Sequence, residues 1–361
     1  MSLFNHKYLF IFILILILLL IAFNGKNKNI DVTDATKYYN INNNKNNYEF
    51  FALKNNNKFF FEENQEKLDY CINYGILIYD YYYDGKINFP NIGDYIQSLA
   101  ALQYLPKNCK PYFVDRDSIQ FYHGPKVKLI MNGWYYLHEG NKYVSSQIEP
   151  IYLSYHLNIY KYLTSFFREN LKNHSPIGCR DENTRDDLIK NGINAYFSSC
   201  LTTTLDIDFS INEKERTNEI IFIDYKFGNY PKADKYLLSL KAYNFTNITY
   251  TKHFFNLNLT HIERFQLAKK LLNKYARAKL VVSTRIHGAL PCLSFKTPVI
   301  LINKHYDYKR YRGLYELLNT IGINIQNKFE IKVNINEKGL VENSKKYLKY
   351  SKQLKDKLAN I

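Results

Sequence analysis

Beyond residue 70, short apolar runs alternate with segments whose apolar positions recur every three or four residues. "GILIYDY" (75–81) is rich in β-branched and aromatic residues and predicts a buried strand. In "DYIQSLAALQYL" the residues Ile96, Leu99, Ala100 and Leu102 form a helical stripe that Pro106 ends. "VKLIMNG" (127–133) predicts a strand running into a loop, and "RDENTRDDLIKNG" (180–192) a helix with acids in its first turn and a closing glycine. "YFSSCLTTTLD" closes this half.

A second set opens with the strand "EIIFIDY" (219–225). A helix follows with Ile262, Phe265, Ala268, Leu271, Leu272 and Tyr275 on one face, then the strand "KLVVS", the loop "STRIHG" with a helix, and the strand "TPVILIN". Strands alternating with helices imply parallel sheets with crossover helices. Two such sets predict an α/β fold of two doubly wound, Rossmann-like domains facing a cleft, over 71–205 and 206–325. The lysine-rich "KKYLKYSKQLKDKL" predicts a solvated amphipathic helix within a basic tail over 326–361.

The N-terminal pattern differs. A flank of seven residues (1–7) precedes "YLFIFILILILLLIAF", an unbroken apolar run from Tyr8 to Phe23. A bilayer core asks for ~20 apolar residues, so this run is short. No small-x-small cleavage site follows Phe23, which favours an uncleaved transmembrane signal anchor over a cleaved signal peptide. With so short a flank, the C-terminal part is expected on the lumenal or extracytoplasmic side. Residues 24–70 are dominated by asparagine and lysine and read as a flexible stem.

The 361-residue chain carries a net charge of +16, which favours anionic partners. Zinc-knuckle spacing, a glycine-aromatic RNA signature and basic-zipper heptads are all missing, so nucleic acid is not expected as a partner. The five cysteines include no CxxC pair and leave disulfide pairing open. Acceptor sequons at Asn173, Asn244, Asn247 and Asn258 add little in a chain so rich in asparagine.

Ligands of doubly wound sheets bind beyond the carboxyl ends of strands, and four segments satisfy that rule. "NFPNIGDYIQ" offers Asp94, either contacting a sugar hydroxyl or capping a helix. "MNGWYY" leaves Asn132 and Trp134, the only tryptophan, just past a strand, where the ring could stack on a sugar or simply pack. "PIGCRDENT" puts Arg180 at a strand-to-helix turn, facing an anion or paired locally with Asp181 or Asp187. "STRIHG" carries the strongest signal. If extended, Arg285 and His287 share a face, and the amides opening the next helix favour a phosphate.

"NIGDYIQSLAALQYLP", "IMNGW", "PIGCRDENT", "SSCLTTTL" and "STRIHGALP" stand in the order of the polysaccharide pyruvyl transferase family, which the chain resembles from about Tyr74 to Ile325. The resemblance implies a fold like that of the GT-B glycosyltransferases and transfer of a pyruvyl group from phosphoenolpyruvate to a sugar, forming a ketal. It implies that Arg180, Arg285 and His287, with the adjoining Gly288, bind the donor. Asp94, Asn132 and Trp134 are the candidates for the glycan acceptor. Arg285 and His287 are the candidate catalytic pair, His287 as proton donor or as the group assisting phosphate departure. The cosubstrate is phosphoenolpyruvate, with no cofactor and no metal expected. Relatives usually have glycine where Ser199 stands and leucine where Thr203 stands, which questions the cleft geometry. A nucleotide-sugar glycosyltransferase and an inactive glycan-binding relative are the alternative readings. Against the first, no acidic residue lies between His287 and Asp307 to hold a ribose.

Overall fold

The apolar runs become the inner strands of two sheets in the computed structural model. It describes residues 53–55, 58–60, 70–83, 86–87, 90–106, 110–137, 144–159, 163–205, 215–303, 308–324, 326–359 and 361. In the first half, β1 (Tyr70–Ile78) is followed by α1 (Ile92–Leu102), β2 (Lys110–Asp115) and β3 (Val127–Ile130). Then come β4 (Trp134–Leu137), β5 (Ile148–Ile151), β6 (His156–Ile159), α2 (Ser165–Asn173), β7 (Ile177–Cys179), α3 (Glu182–Lys190) and β8 (Ala195–Phe197). The main sheet runs β2-β1-β3-β5, all parallel. Two parallel pairs, β4 with β6 and β7 with β8, stand in sequence beyond it.

After a 3₁₀ turn at Leu201–Thr204, the second half consists of β9 (Ile220–Ile223), α4 (Pro231–Ser239), β10 (Ile248–Thr251), α5 (His261–Arg277) and β11 (Leu280–Ser283). It continues with α6 (Ile286–Ser294), β12 (Val299–Asn303), α7 (Tyr308–Tyr311), β13 (Asn319–Ile323), β14 (Phe329–Lys332) and α8 (Tyr347–Leu358). This sheet runs β10-β9-β11-β12-β13-β14, parallel except for the last pair. In both sheets the first strand lies between the second and the third, so each has a reversal of strand order, the place where doubly wound sheets bind ligands.

The inner strands are buried on both faces, as parallel sheets under helices require. Ile221, Ile223 and Val281 face one core, while Ile220, Phe222, Leu280 and Val282 face another that α4 covers with Ala233 and Leu237. The first core runs on without a break through α5, α6 and α1 to Leu77 and Leu129 of the first sheet. All of α1 is buried. Its Tyr95 ring packs edge-on against Phe265 of α5, and Arg264 of α5 donates to the Tyr79 carbonyl and the Tyr95 hydroxyl.

Several boundaries depart from the pattern. β1 ends at Ile78 rather than Tyr81, and Tyr81 itself adopts φ 58°, outside the strand region. α1 starts two residues before Asp94, because Asn91 caps it through a bond from the Gly93 amide to its side-chain oxygen, 3.1 Å. The expected anchor (8–23) and its flank lie outside the described residues. So does the stem, apart from Tyr70 and the antiparallel pair Leu53–Asn55 and Lys58–Phe60. Among the described residues no helix is long and apolar enough to cross a membrane.

Candidate active site

At the reversal point of the first sheet, between β1 and β3, Asn132 leaves the end of β3 and is gripped by α1. Its Nδ2 donates to the Gln97 carbonyl at 2.7 Å, and Gln97 Nε2 donates back to the Asn132 carbonyl. The side-chain oxygens of both residues are buried without a partner, two acceptors suited to a sugar hydroxyl. Asp94 does not cap. It points inward, accepts from the Tyr81 hydroxyl at 3.2 Å and lies 3.6 Å from Arg116. Burial raises its pKa, with Arg116 pulling the other way.

Where β7 turns into α3, Asp181 takes the capping position, accepting from the Thr184 amide at 2.9 Å. Its other oxygen binds His156 Nδ1. Asp187 accepts from Asn183. The two local acids are thus engaged, and Arg180 pairs with neither. It is 1% exposed, and its Nε and Nη2 have no hydrogen-bond partner. A buried guanidinium without acceptors is costly, so the position asks for an anion. His156, which the sequence did not single out, is 1% exposed with Nε2 also unpartnered. Trp134 is no open platform: His156 stacks on it at 15°, and the Arg116 and Arg310 guanidinium carbons lie 5.9 and 5.8 Å from its ring centre.

The reversal point of the second sheet lies between β9 and β11. Here β11 stops at Ser283, whose hydroxyl accepts from the Arg285 amide and donates to the Arg285 carbonyl, both at 2.9 Å. That ring turns the chain into α6, with Arg285 as its cap and His287 in its first turn, so the two residues do not share an extended face. Arg285 is half-exposed and donates from Nε to Asp224 at 2.6 Å. Asp224 holds this place with φ 49°, an unfavourable value for a residue with a side chain. His287 is buried with Nε2 unpartnered. It packs on the first turn of α1 so closely that a Cβ on Gly93 would lie 3.1 Å from its Cβ and Nδ1. Gly288 is a packing residue. Its amide donates to the Arg285 carbonyl, and a Cβ there would meet Ser283 Oγ at 2.7 Å and Ile223 Cδ1 at 2.8 Å.

The electrostatics show which of these groups lie together. Burial, and then the charges of Arg180, His253 and Arg310, push the His287 pKa well below the usual imidazole range. Burial also lowers that of His156, against the pull of Asp181, with Arg180 and Arg310 adding to the fall. Arg180 acts on Asp94 as well. The charge of Arg180 thus reaches His156, His287 and Asp94. Arg285 belongs to the rim, and burial, opposed by Asp224 and aided by Arg285, lowers the pKa of His253, another buried imidazole with an unpartnered Nδ1. Neither "SYHLN" nor "TKHFF" resembles a motif, so nothing in the sequence marked His156 or His253. Arg310, within "KHYDYKRYRG", was equally unmarked.

Ser199 adopts φ 65°, is fully buried and has an unpartnered hydroxyl. A glycine, which the resemblance leads one to expect there, takes that conformation without strain. Thr203 is satisfied locally, donating to the Cys200 carbonyl at 2.8 Å while its own carbonyl accepts from Ser351 of α8.

The family model for polysaccharide pyruvyl transferase matches residues 91–306, more than half of the chain. The chain belongs to the polysaccharide pyruvyl transferase family. The match begins at the Asn91 cap of α1 and takes in Asp94, Asn132, Trp134, His156, Arg180, His253, Arg285 and His287. No curated protein matches the transferase. A solved structure, described as a functional uncharacterized protein KP1_0663 from Klebsiella pneumoniae subsp. pneumoniae NTUH-K2044, is 17% identical with a TM-score of 0.40, over 69% of this chain and 93% of that one. Among the described residues of the transferase, no group of three or more His, Cys, Asp or Glu side chains could hold a metal ion. Cys179, Cys200 and Cys292 are buried free thiols.

Proposed function

We propose that this transferase moves the pyruvyl group of phosphoenolpyruvate onto two hydroxyls of a glycan sugar, forming a pyruvate ketal. The observation that carries the reading is Arg180, a buried guanidinium with two unpartnered nitrogens, whose charge acts on His287 and His156, each with a buried, unpartnered Nε2. A small molecule bearing a carboxylate and a phosphate supplies the missing acceptors.

A proton adds to the methylene carbon of phosphoenolpyruvate, making it a methyl group and its neighbour electrophilic. One sugar hydroxyl bonds to that central carbon and gives up its proton. The bond from the carbon to the phosphate oxygen breaks, and a second hydroxyl closes the ketal. The two hydroxyl protons end on the methyl group and on the departing phosphate.

His287 rests as a neutral imidazole, so it does not enter as a charged acid. Phosphate drawn in by Arg180 raises its proton affinity again, and its role is then to donate to the leaving oxygen. His156 is oriented by Asp181, which holds Nδ1 and leaves the buried, unpartnered Nε2 as a base for a sugar hydroxyl. Asn132 and Gln97 offer acceptor oxygens to the same sugar. Arg285, released from Asp224, closes the rim over the donor. Membrane attachment through Tyr8–Phe23, with the folded part on the extracytoplasmic side, is part of the proposal. It rests on the unbroken apolar character of that run and on the lack of a small-x-small cleavage site after Phe23.

The full-length protein, incubated with phosphoenolpyruvate and a panel of oligosaccharides, is expected to release inorganic phosphate. One glycan should gain the mass of a pyruvate less one water. Transfer from a nucleotide sugar, with none from phosphoenolpyruvate, would overturn the reading.

A further inference from the structure

The loop after β10 brings a second imidazole to the site. His253 is 1% exposed, and its ring lies nearly parallel to that of Tyr275, with Nε2 3.1 Å from the Tyr275 hydroxyl. Its backbone is fixed to the start of α1: the His253 carbonyl accepts from the Ile92 amide at 2.8 Å, and Phe254 bridges to Asn91. That same first turn of α1 carries Gly93, against which His287 packs. His253 and His287 thus flank one helix start from two loops of the second sheet.

Each ring has one nitrogen held or packed and the other buried without a partner, Nδ1 of His253 and Nε2 of His287. The rings are near enough that a proton on His253 depresses the proton affinity of His287, and Arg285 acts on His253 in turn. A histidine that only fills a core has no reason to leave Nδ1 unsatisfied, since a buried polar atom without a partner costs about 1–3 kcal/mol. The Tyr275 hydroxyl can turn its proton toward Nε2, which leaves the ring's own proton on Nδ1.

We propose that His253 Nδ1–H is a donor to the anionic donor substrate, joining Arg180 and His287 in holding its phosphate. This rests on the phosphoenolpyruvate reading above and adds a residue to that same site. Tyr275 is then a positioning residue that fixes which nitrogen of His253 carries the proton. Because the ring stays neutral, it binds the anion by a directed hydrogen bond and leaves the fixed charge to Arg180.

The test is calorimetric titration of the full-length protein with phosphoenolpyruvate, comparing wild type with His253→Gln and His253→Asn. Glutamine puts its amide nitrogen near the Nε2 position and keeps the Tyr275 contact, whereas asparagine puts a donor near Nδ1. His253→Gln is expected to weaken binding about ten- to a hundredfold, the worth of one hydrogen bond to a charged group. His253→Asn should recover most of that loss. Equal affinity of wild type and a folded His253→Gln would overturn the inference and leave the wider reading standing. Failure of wild type to bind phosphoenolpyruvate would overturn both. Should His253→Gln fail to fold, imidazole nitrogen resonances of the wild type decide. The Nδ1 signal must be that of a protonated nitrogen and must move on adding phosphoenolpyruvate, and an unmoved signal contradicts the proposal.

Discussion

Replacing Arg180 by methionine tests the site from two directions at once. The side chain is 1% exposed, and two of its guanidinium nitrogens have no acceptor. At about 1–3 kcal/mol for each unsatisfied donor, the empty protein carries a penalty of roughly 2–6 kcal/mol that methionine of similar length removes. Lost packing offsets part of this, so a net gain of about 1–3 kcal/mol is expected. That corresponds to a rise in Tm of at least about 2 °C. Binding moves the opposite way. Two charge-assisted hydrogen bonds at about 1.5–3 kcal/mol each give a loss of affinity for phosphoenolpyruvate of more than a hundredfold. Thermal unfolding without ligand and calorimetric titration with phosphoenolpyruvate measure the two effects. A variant that is less stable than wild type and still binds would refute the reasoning, because Arg180 would then be a satisfied structural residue.

Four further outcomes follow from other contacts. Gly93→Ala places a Cβ 3.1 Å from His287 and from Asn91 Oδ1, and is expected to cost about 1–3 kcal/mol in denaturant unfolding and to weaken phosphoenolpyruvate binding. Unchanged values for both would show that His287 gives way freely. Ser199→Gly relieves φ 65° without breaking a hydrogen bond, and should raise stability by about 1 kcal/mol. A loss instead would mean that the hydroxyl has a partner in the native protein. Arg285→Ala removes a half-exposed ion pair, so it should change stability by less than about 1 kcal/mol, and it should reduce affinity less than Arg180→Met does. The reverse ranking of affinities would place the donor at the rim. The last outcome concerns pH. Burial holds the His253 pKa at about 4, against a usual value of 6.5, so the unfolded chain binds the extra proton first. The resulting penalty on the folded state grows as pH falls from 6.5 to about 4. His253→Gln should therefore gain on wild type by up to roughly 3 kcal/mol across that window, and a constant difference would contradict a buried neutral ring.

Much of the architecture was legible because parallel strands buried on both faces are continuous apolar runs. "EIIFI", "KLVVS" and "TPVILIN" all became inner strands of the second sheet. Helix starts were less legible, since capping is decided by one side chain. Asn91 and Asp94 both suit the position, and only packing against Arg116 and Tyr81 shows why Asp94 turns inward. The site was legible where residues cluster in sequence, as in "STRIHG", but spacing alone misjudged their geometry. The Ser283 hydroxyl ends the strand two residues before Arg285 and starts a helix at Ile286, which sends Arg285 to the rim and His287 inward. His156 and His253 were not legible at all. They reach the site through contacts between distant segments: the bridge from Tyr155 to Cys179, and the bond from Ile92 to the His253 carbonyl.

The most direct measurement is saturation binding of phosphoenolpyruvate to the full-length wild-type protein by calorimetry, in competition with nucleotide sugars and with inorganic phosphate. One saturable phosphoenolpyruvate site per chain is expected, displaced by excess phosphate and indifferent to nucleotide sugars. Saturation by a nucleotide sugar, with no heat from phosphoenolpyruvate, would contradict it.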